Sequence, residues 1–534
     1  MWNPAPHLRI TLTDSIPTIL GWFDQCKNEH KECATVTAPG SGPPPLPTRV
    51  LEVIDDPEFP CRLHESHGER AEYVALSHCW GKEKPLSTTK ANLTQYLKCI
   101  LMQDLPLTFR DAILVTRKLG FKYLWIDSLA IIQDDPDDWR REAASMAAIY
   151  SNASVTIAAS ISNGHQKGFL KPTKPARRMF IPSLRQGKFS GIAYARLQSS
   201  DYRLKHWSPM AKRGWILQEQ CLSRRILHFY SDQIWFQCAH HTASEDGVAT
   251  YKCGAESGGM TTHYVERSLG PGLRYTLSQS PNSILDKRGC WWSIVENYTA
   301  RKLTYPSDRI PALAGVTKLF QELTSDEPLL GLWRNDFAVG LLWRTKINTD
   351  DPAPARFENI PSWSWFSIHH QVMSHRFDEY RIPVSRLEVL DVQIDWSGIP
   401  LTSEVLGGKA VIRGRVQKMK LGAKQRDSFD FHDHFRLHSD LLRKWRAGQV
   451  EDVGACQLDD PTKVPETMVD VLNVTEHRTW TQNGSGKNIR CIIYSVIILD
   501  STGCKEGEYR RIGCGTVEHE FDFDEVEPKV ITLI

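Results

Sequence analysis

Hydrophobic and polar positions change period several times along the chain, and the clearest changes fall between residues 71 and 160. Tyr73-Val74-Ala75-Leu76 is a short apolar run that ends in the polar series Ser77-His78-Cys79-Trp80-Gly81, the mark of a buried strand leading into a loop. A helical pattern follows over 109–119. Thr108 stands at its expected N-cap, Asp111 makes a capping-box-like pair, and Gly120 takes the C′ position. Lys122-Tyr123-Leu124-Trp125-Ile126-Asp127 reads as a second strand, closing on a carboxylate. Asp135-Pro136-Asp137-Asp138 then supplies an N-cap, a proline at N1 and acids in the first turn of a helix over 136–150. Residues 154–159 form a third apolar strand.

Strands alternating with helices imply parallel β-α-β units, hence an α/β, doubly wound parallel sheet. Ligands of such sheets bind outside the carboxyl ends of the strands. Those ends carry Ser77, His78, Cys79 and Trp80, then Asp127 and Ser128, then Ser160. Punctuation elsewhere divides the chain into four. Residues 1–65 are a helical segment with a Pro-rich linker around 39–45, and 66–253 the α/β domain. Residues 254–380 are a helical, Trp-rich extension opening on a Gly-rich loop (254–272). Residues 381–534 are a β-rich domain with a strand at 410–416 and one helical exception at 439–447.

Composition narrows the function classes. With 65 Lys+Arg against 63 Asp+Glu the net charge is +2, which argues against nucleic-acid binding. The start has no basic-then-apolar signal pattern, and the longest run dominated by apolar residues (491–499) is far too short for a membrane span. Thirteen cysteines without framework spacing are then reduced thiols, and the expectation is a cytoplasmic protein. No G-x-G-x-x-G follows a strand and no P-loop is present.

Several ordered motifs resemble one family. Residues 73–81, 105–113, and 123–133 continued by Asp137-Asp138-Trp139, Glu142, Met146, Ile149-Tyr150 and Ala153, are similar to the first three motifs of the fungal heterokaryon-incompatibility (HET) domain. Arg213-Gly214-Trp215-Ile216-Leu217-Gln218-Glu219 is similar to its closing motif, and weaker likeness continues to about residue 370. The chain departs from the family at His78, where an aromatic residue is usual, and at Ala130, where a Cys is usual, so a mechanism needing that thiol cannot operate here. The resemblance implies a role in fungal non-self recognition and programmed cell death, with protein partners in allorecognition signalling. Distant likeness to TIR domains further implies a nucleotide ligand, with NAD as candidate substrate of an NAD-glycohydrolase-like hydrolase and no certain cofactor. The alternatives are a non-enzymatic signalling and assembly module, or an enzyme of specialised metabolism using the same cleft.

The candidate residues each carry a plainer reading. Asp127 would hold a ribose hydroxyl or stabilise an oxocarbenium-like transition state, or else merely cap the following turn. Glu142 is a second catalytic carboxylate or a solvated helix residue. Cys79 would be a nucleophile, yet neighbouring strand residues point to opposite faces, which places His78 badly to serve it. Arg213 and Glu219, in a polar cluster with Gln218, Arg224 and Arg225, either meet a ligand phosphate or form an internal ion network. Ser77, His78, Trp80 and Ser128 complete the expected ligand-binding set. Cys26, His30 and Cys33 share one helix face at i, i+4 and i+7. Zinc would need a fourth ligand there, and with no second pair at suitable spacing a packed core face is expected. Trp291-Trp292 and Trp363-Ser364-Trp365 are expected in the core.

Overall fold

The computed structural model describes residues 12–34, 42–81, 83–170, 178–185, 188–196, 208–231, 233–245, 247, 251–252, 269–279, 284–346, 355–374, 384–426, 433–438, 452–460, 462–465, 468–482, 488–518 and 523–534. It divides into two compact units, residues 1–294 with 301–319, and residues 295–300 with 320–534. Residues of the expected Trp-rich extension therefore contribute to both. The expected helix at 439–447 lies outside the described residues, as does most of the Gly-rich loop at 254–272.

The first unit is built on a nine-stranded sheet. In chain order its strands are β1 (Arg49–Val53), β2 (Cys61–Glu65), β3 (Tyr73–Ser77), β4 (Tyr123–Trp125) and β5 (Val155–Ala158). After a separate hairpin of β6 (Arg178–Arg185) and β7 (Lys188–Arg196) come β8 (Arg225–Phe229), β9 (Ile234–Cys238), β10 (His241–Ser244) and β11 (Tyr251–Lys252). Their order is β11-β10-β9-β8-β5-β3-β4-β1-β2. The pairs β3–β4, β3–β5 and β5–β8 are parallel, so the three strands expected from the sequence are parallel and adjacent. The sheet as a whole is mixed, because antiparallel strands extend it at both edges. Leaving β3, the chain goes to β4 on one side and returns to β5 on the other, the reversal of strand order at whose carboxyl ends α/β sheets bind ligands.

Helices cover both faces of this sheet. Val74, Leu76, Leu124, Val155 and Ile157 point to one face, where they join Ile19 and Phe23 of α1 (Leu12–Glu29) in a single core. Phe109, Ala112 and Ile113 enter that core from the helix Leu107–Lys118. The alternate residues point the other way. There the Tyr73 hydroxyl donates to the Ile149 carbonyl at 2.6 Å, and Trp125 meets Tyr150 edge-on, both from the helix Pro136–Asn152. Asp135 caps this last helix, accepting from the amides of Asp137 and Asp138.

The first of these two crossover helices corrects a sequence expectation. It starts at Leu107, after Pro106, and no side chain caps it. Thr108 instead donates to the Gly164 carbonyl, and the Asp111 carboxylate accepts from the amides of Phe169 and Leu170. Tertiary partners took both polar side chains from the local motif. A second correction concerns α1, which ends at Glu29. His30 sits at the break and Cys33 lies in the short helix α2 (Lys31–Ala34), so the triplet does not share one helix.

The second unit carries a large β-sheet. Its spine is the 22-residue strand Val405–Arg426, which includes Gly407 and Gly408. That strand pairs along its length with Glu388–Trp396, Pro528–Leu533, Met468–Gln482 and Asp433–His438. Trp343, Trp363 and Trp365 are fully buried here, as the core reading expected. The indole of Trp343 donates to the Trp363 carbonyl at 3.0 Å, and that of Trp365 to the Gly331 carbonyl at 2.8 Å. Gly331 has φ +86°, and a Cβ there would stand 2.5 Å from the Trp365 ring, so only glycine fits.

Candidate functional site

The loops after β3 and β4 meet at the carboxyl edge of the sheet. Trp80 follows β3 and donates its indole N–H to Oδ2 of Asp127 at 2.8 Å. Asp127 opens a short helical turn (Asp127–Ala130) after β4, and its Oδ1 accepts from the Ser128 amide at 2.7 Å. Nδ1 of His78 lies 4.0 Å from the same carboxylate. The β3 loop can lie this low because Gly81, at φ +85°, packs backbone to backbone on Gly164. A Cβ on Gly81 would stand 3.0 Å from the Gly164 Cα. His165, beside Gly164, bonds the Trp80 carbonyl through Nδ1 at 2.6 Å. The carbonyl can only accept, so that nitrogen carries the hydrogen.

Beneath this rim lies a buried polar layer contributed by the helix Gly214–Leu222 and its preceding residue. Glu219 is 7% exposed, and burial pushes its carboxyl up to about 7. The hydroxyls of Ser77 and Tyr150 and the Arg213 guanidinium pull it down, whereas the charge of Asp127 pushes it further up. Oγ of Ser77, Oε2 of Glu219 and Nε2 of His78 are all buried with no hydrogen-bond partner among the described residues. Burial also holds the His78 imidazole down at about 4, so it is neutral at physiological pH. The Arg213 guanidinium donates to the His78 carbonyl and thereby straps the β3 loop to the Glu219 helix.

Other candidates fall elsewhere. Ser128 is fully buried and its hydroxyl donates to the Leu86 carbonyl at 2.8 Å, so its side chain braces a loop. Cys79 packs among Ala158, Met210, Ile216 and Ile226, where burial pushes its thiol up against the pull of Arg213. His78 faces Phe109 across the sheet, so the two neighbours point apart as strand geometry requires. Glu142 belongs to a separate buried network with Arg49, Asp138 and Arg141, where Arg49 pairs with Asp138 and donates to the Ala130 carbonyl. The polar cluster of the closing motif is likewise dispersed: Gln218 accepts from the Gly315 amide, and Arg225 is bonded to Cys26 and the Ser154 carbonyl.

The carboxylate opposite Asp127 is therefore Glu219. Tyr150 and His165 complete the site without having been expected there. Tyr150 belongs to the third HET-like motif but carried no expected role, and no motif marked His165. Asp308 lies near Arg213 as well and accepts from the Trp215 indole at 2.9 Å, with burial raising its carboxyl.

Residues 73–219 match the family model described as Heterokaryon incompatibility protein (HET). Every residue just placed at the edge, from Ser77 to Glu219, lies in that span. Neither the comparison with curated proteins nor that with solved structures finds a match. Among the described residues no helix is long and apolar enough to cross a membrane. The match runs from Tyr73 at the start of β3 to Glu219 in the buried layer, and over these residues the chain carries a HET domain.

Proposed function

We propose that this protein acts in fungal non-self recognition and cell-death signalling through a nucleotide-binding HET domain, with NAD as its substrate. The observation that supports this most is the nearness of Asp127 to the buried Glu219 at the carboxyl ends of parallel strands, where Oε2 of Glu219, Oγ of Ser77 and Nε2 of His78 lack partners among the described residues. Unpaired buried polar groups are uncommon in folded proteins, and a ligand's hydroxyls would satisfy them. The order β4-β3-β5-β8 with helices on both faces is also what a doubly wound, TIR/flavodoxin-like sheet would have, and such sheets bind nucleotides at this edge.

In this reading Asp127, oriented by the Trp80 indole, holds a ribose hydroxyl and stabilises positive charge developing at the anomeric carbon. Glu219, its carboxyl raised by burial to about 7, donates a hydrogen bond to the substrate in its protonated form. Arg213 offers its planar fork to a phosphate. Water adds at the anomeric carbon, the bond to the nicotinamide nitrogen breaks, and nicotinamide, ADP-ribose and a proton leave. The test incubates the purified full-length protein with NAD and follows nicotinamide release. Release by the wild type, reduced at least about 100-fold in Asp127→Asn and Glu219→Gln with circular dichroism unchanged, is the expected result. Wild-type protein that neither binds NAD nor releases nicotinamide would refute it. The burial of Ser77, His78 and Glu219 would then favour the second reading, a non-enzymatic assembly module.

A further inference from the structure

The buried thiols and imidazole near the N-terminus form a separate constellation on the first unit. Cys26 lies in the last turn of α1, His30 at the break and Cys33 in α2, where the Cys33 amide turns back to the His30 carbonyl at 3.2 Å. The sheet supplies a fourth group, Cys238, the last residue of β9, 208 residues from His30. All four side chains are buried, and their Sγ and imidazole nitrogen atoms lie within 4.8 Å of one another. The three cysteines are free of disulfides.

We propose that Cys26, His30, Cys33 and Cys238 form a structural zinc site that clamps the N-terminal helices to the sheet. Apolar packing gives no reason for three sulfur atoms and a ring nitrogen to turn toward one point. A tetrahedral zinc does: zinc–sulfur bonds of about 2.3 Å and a zinc–nitrogen bond of about 2.0 Å place sulfur and nitrogen roughly 3.5 Å apart and sulfurs roughly 3.8 Å apart. Cys238 Sγ stands 3.5 Å from His30 Nδ1. Four protein ligands leave no open position, which is the arrangement of a structural rather than a catalytic site.

The surroundings fit a thiolate-rich centre. Three thiolates with zinc carry one net negative charge. Arg225, itself buried, points its Nε at Cys26 Sγ from 3.1 Å, and its other hydrogen bond goes to the Ser154 carbonyl at 3.2 Å. A buried guanidinium against a neutral thiol would be poorly compensated, whereas against a zinc-bound thiolate it is a charge-assisted outer-shell donor. The His30 ring is fixed by stacking on His240 at 4.2 Å, and Glu32 holds His240 through Nδ1 at 2.9 Å. His241 also lies close, its Nδ1 3.9 Å from Cys238 Sγ, and lines the site edge-on to His30.

The experiment measures zinc in the full-length protein, expressed with zinc and purified under reducing conditions. About one zinc per chain is expected, released in step with modification of three thiols by a mercurial reagent. Cobalt(II) in its place should give a thiolate-to-cobalt charge-transfer band and the intense visible absorption of a tetrahedral site. Cys238→Ser and Cys33→Ser should lower the stoichiometry at least about tenfold, whereas Cys99→Ser and Cys504→Ser, away from the cluster, should retain it. Should the serine variants misfold, the wild-type stoichiometry and cobalt spectrum still decide. Wild-type protein that takes up neither metal, or that shows a disulfide within the cluster, overturns the proposal.

Discussion

Asp127 and Glu219 are both carboxylates at one strand edge, and their surroundings separate them. Asp127 accepts two N–H groups at the rim, whereas Glu219 is buried. A folded-state value of about 7 against an ordinary 4.5 means that keeping Glu219 ionised costs on the order of 3 kcal/mol. The protonated form is favoured in the fold, so this penalty is full above pH 7 and fades as pH falls toward 4.5. His78 works in the opposite sense. Its folded value of about 4 against 6.5 contributes stability above pH 6.5 that is lost as pH falls toward 4. Between pH 4.5 and 6.5 the two slopes oppose each other in the wild type. Glu219→Gln should therefore gain stability relative to wild type at pH 8 but not at pH 4, and His78→Gln should gain at pH 4 but not at pH 8. Urea denaturation across that range checks both, and pH-independent differences would mean that neither group titrates as its burial implies.

At the scale of elements, the site depends on a contact between two loops. The β3 loop is held down by the backbone packing of Gly81 on Gly164, the bond of His165 to the Trp80 carbonyl and the Arg213 strap. An alanine at position 81 meets a left-handed φ and a backbone atom that cannot yield. Gly81→Ala should cost about 2 kcal/mol and lift Trp80 from Asp127. Thermal unfolding reads the cost, and loss of Trp80 fluorescence perturbation on Asp127→Asn in the Gly81→Ala background reads the displacement. Gly120→Ala, at φ +80° with open space around its Cβ position, isolates the backbone cost from the clash and should be milder.

At the scale of the whole molecule, each unit owns a buried charge arrangement that its fold must satisfy. In the second unit Arg511 is fully buried, donating to Asp459 at 2.6 Å and to the carbonyls of Leu341 and Trp343, with its guanidinium 3.6 Å from the Trp343 ring centre. Arg356 reaches the same carboxylate from a half-exposed position. Removing Arg511 leaves Asp459 charged and buried with one weaker partner. Arg511→Met should destabilise the protein by about 3–5 kcal/mol, and the double variant Arg511→Met/Asp459→Asn should recover part of that loss. Equal stability of the single and double variants would show that the pair is not coupled.

Apolar runs bounded by turn residues announced β3, β4, β5 and the helices between them, because burial on both faces demands such runs whatever the rest of the chain does. The same logic placed Ser77, His78, Trp80 and Asp127 at one edge, since parallel strands deliver their carboxyl ends together. Local pattern failed where a partner lay far along the chain. Thr108 and Asp111 looked like a capping pair until Gly164, Phe169 and Leu170 came within reach. Glu142 read as a candidate catalytic carboxylate and Glu219 as one member of a polar cluster, and only packing put the first beside Arg49 and the second near Asp127. Cys238 has no spacing relation to Cys26, His30 and Cys33, because a strand edge and a helix end meet only after the sheet is assembled. Periodicity determines which residues are buried and on which face, but which polar groups then share a buried point depends on long-range contacts, and those only the tertiary structure decides.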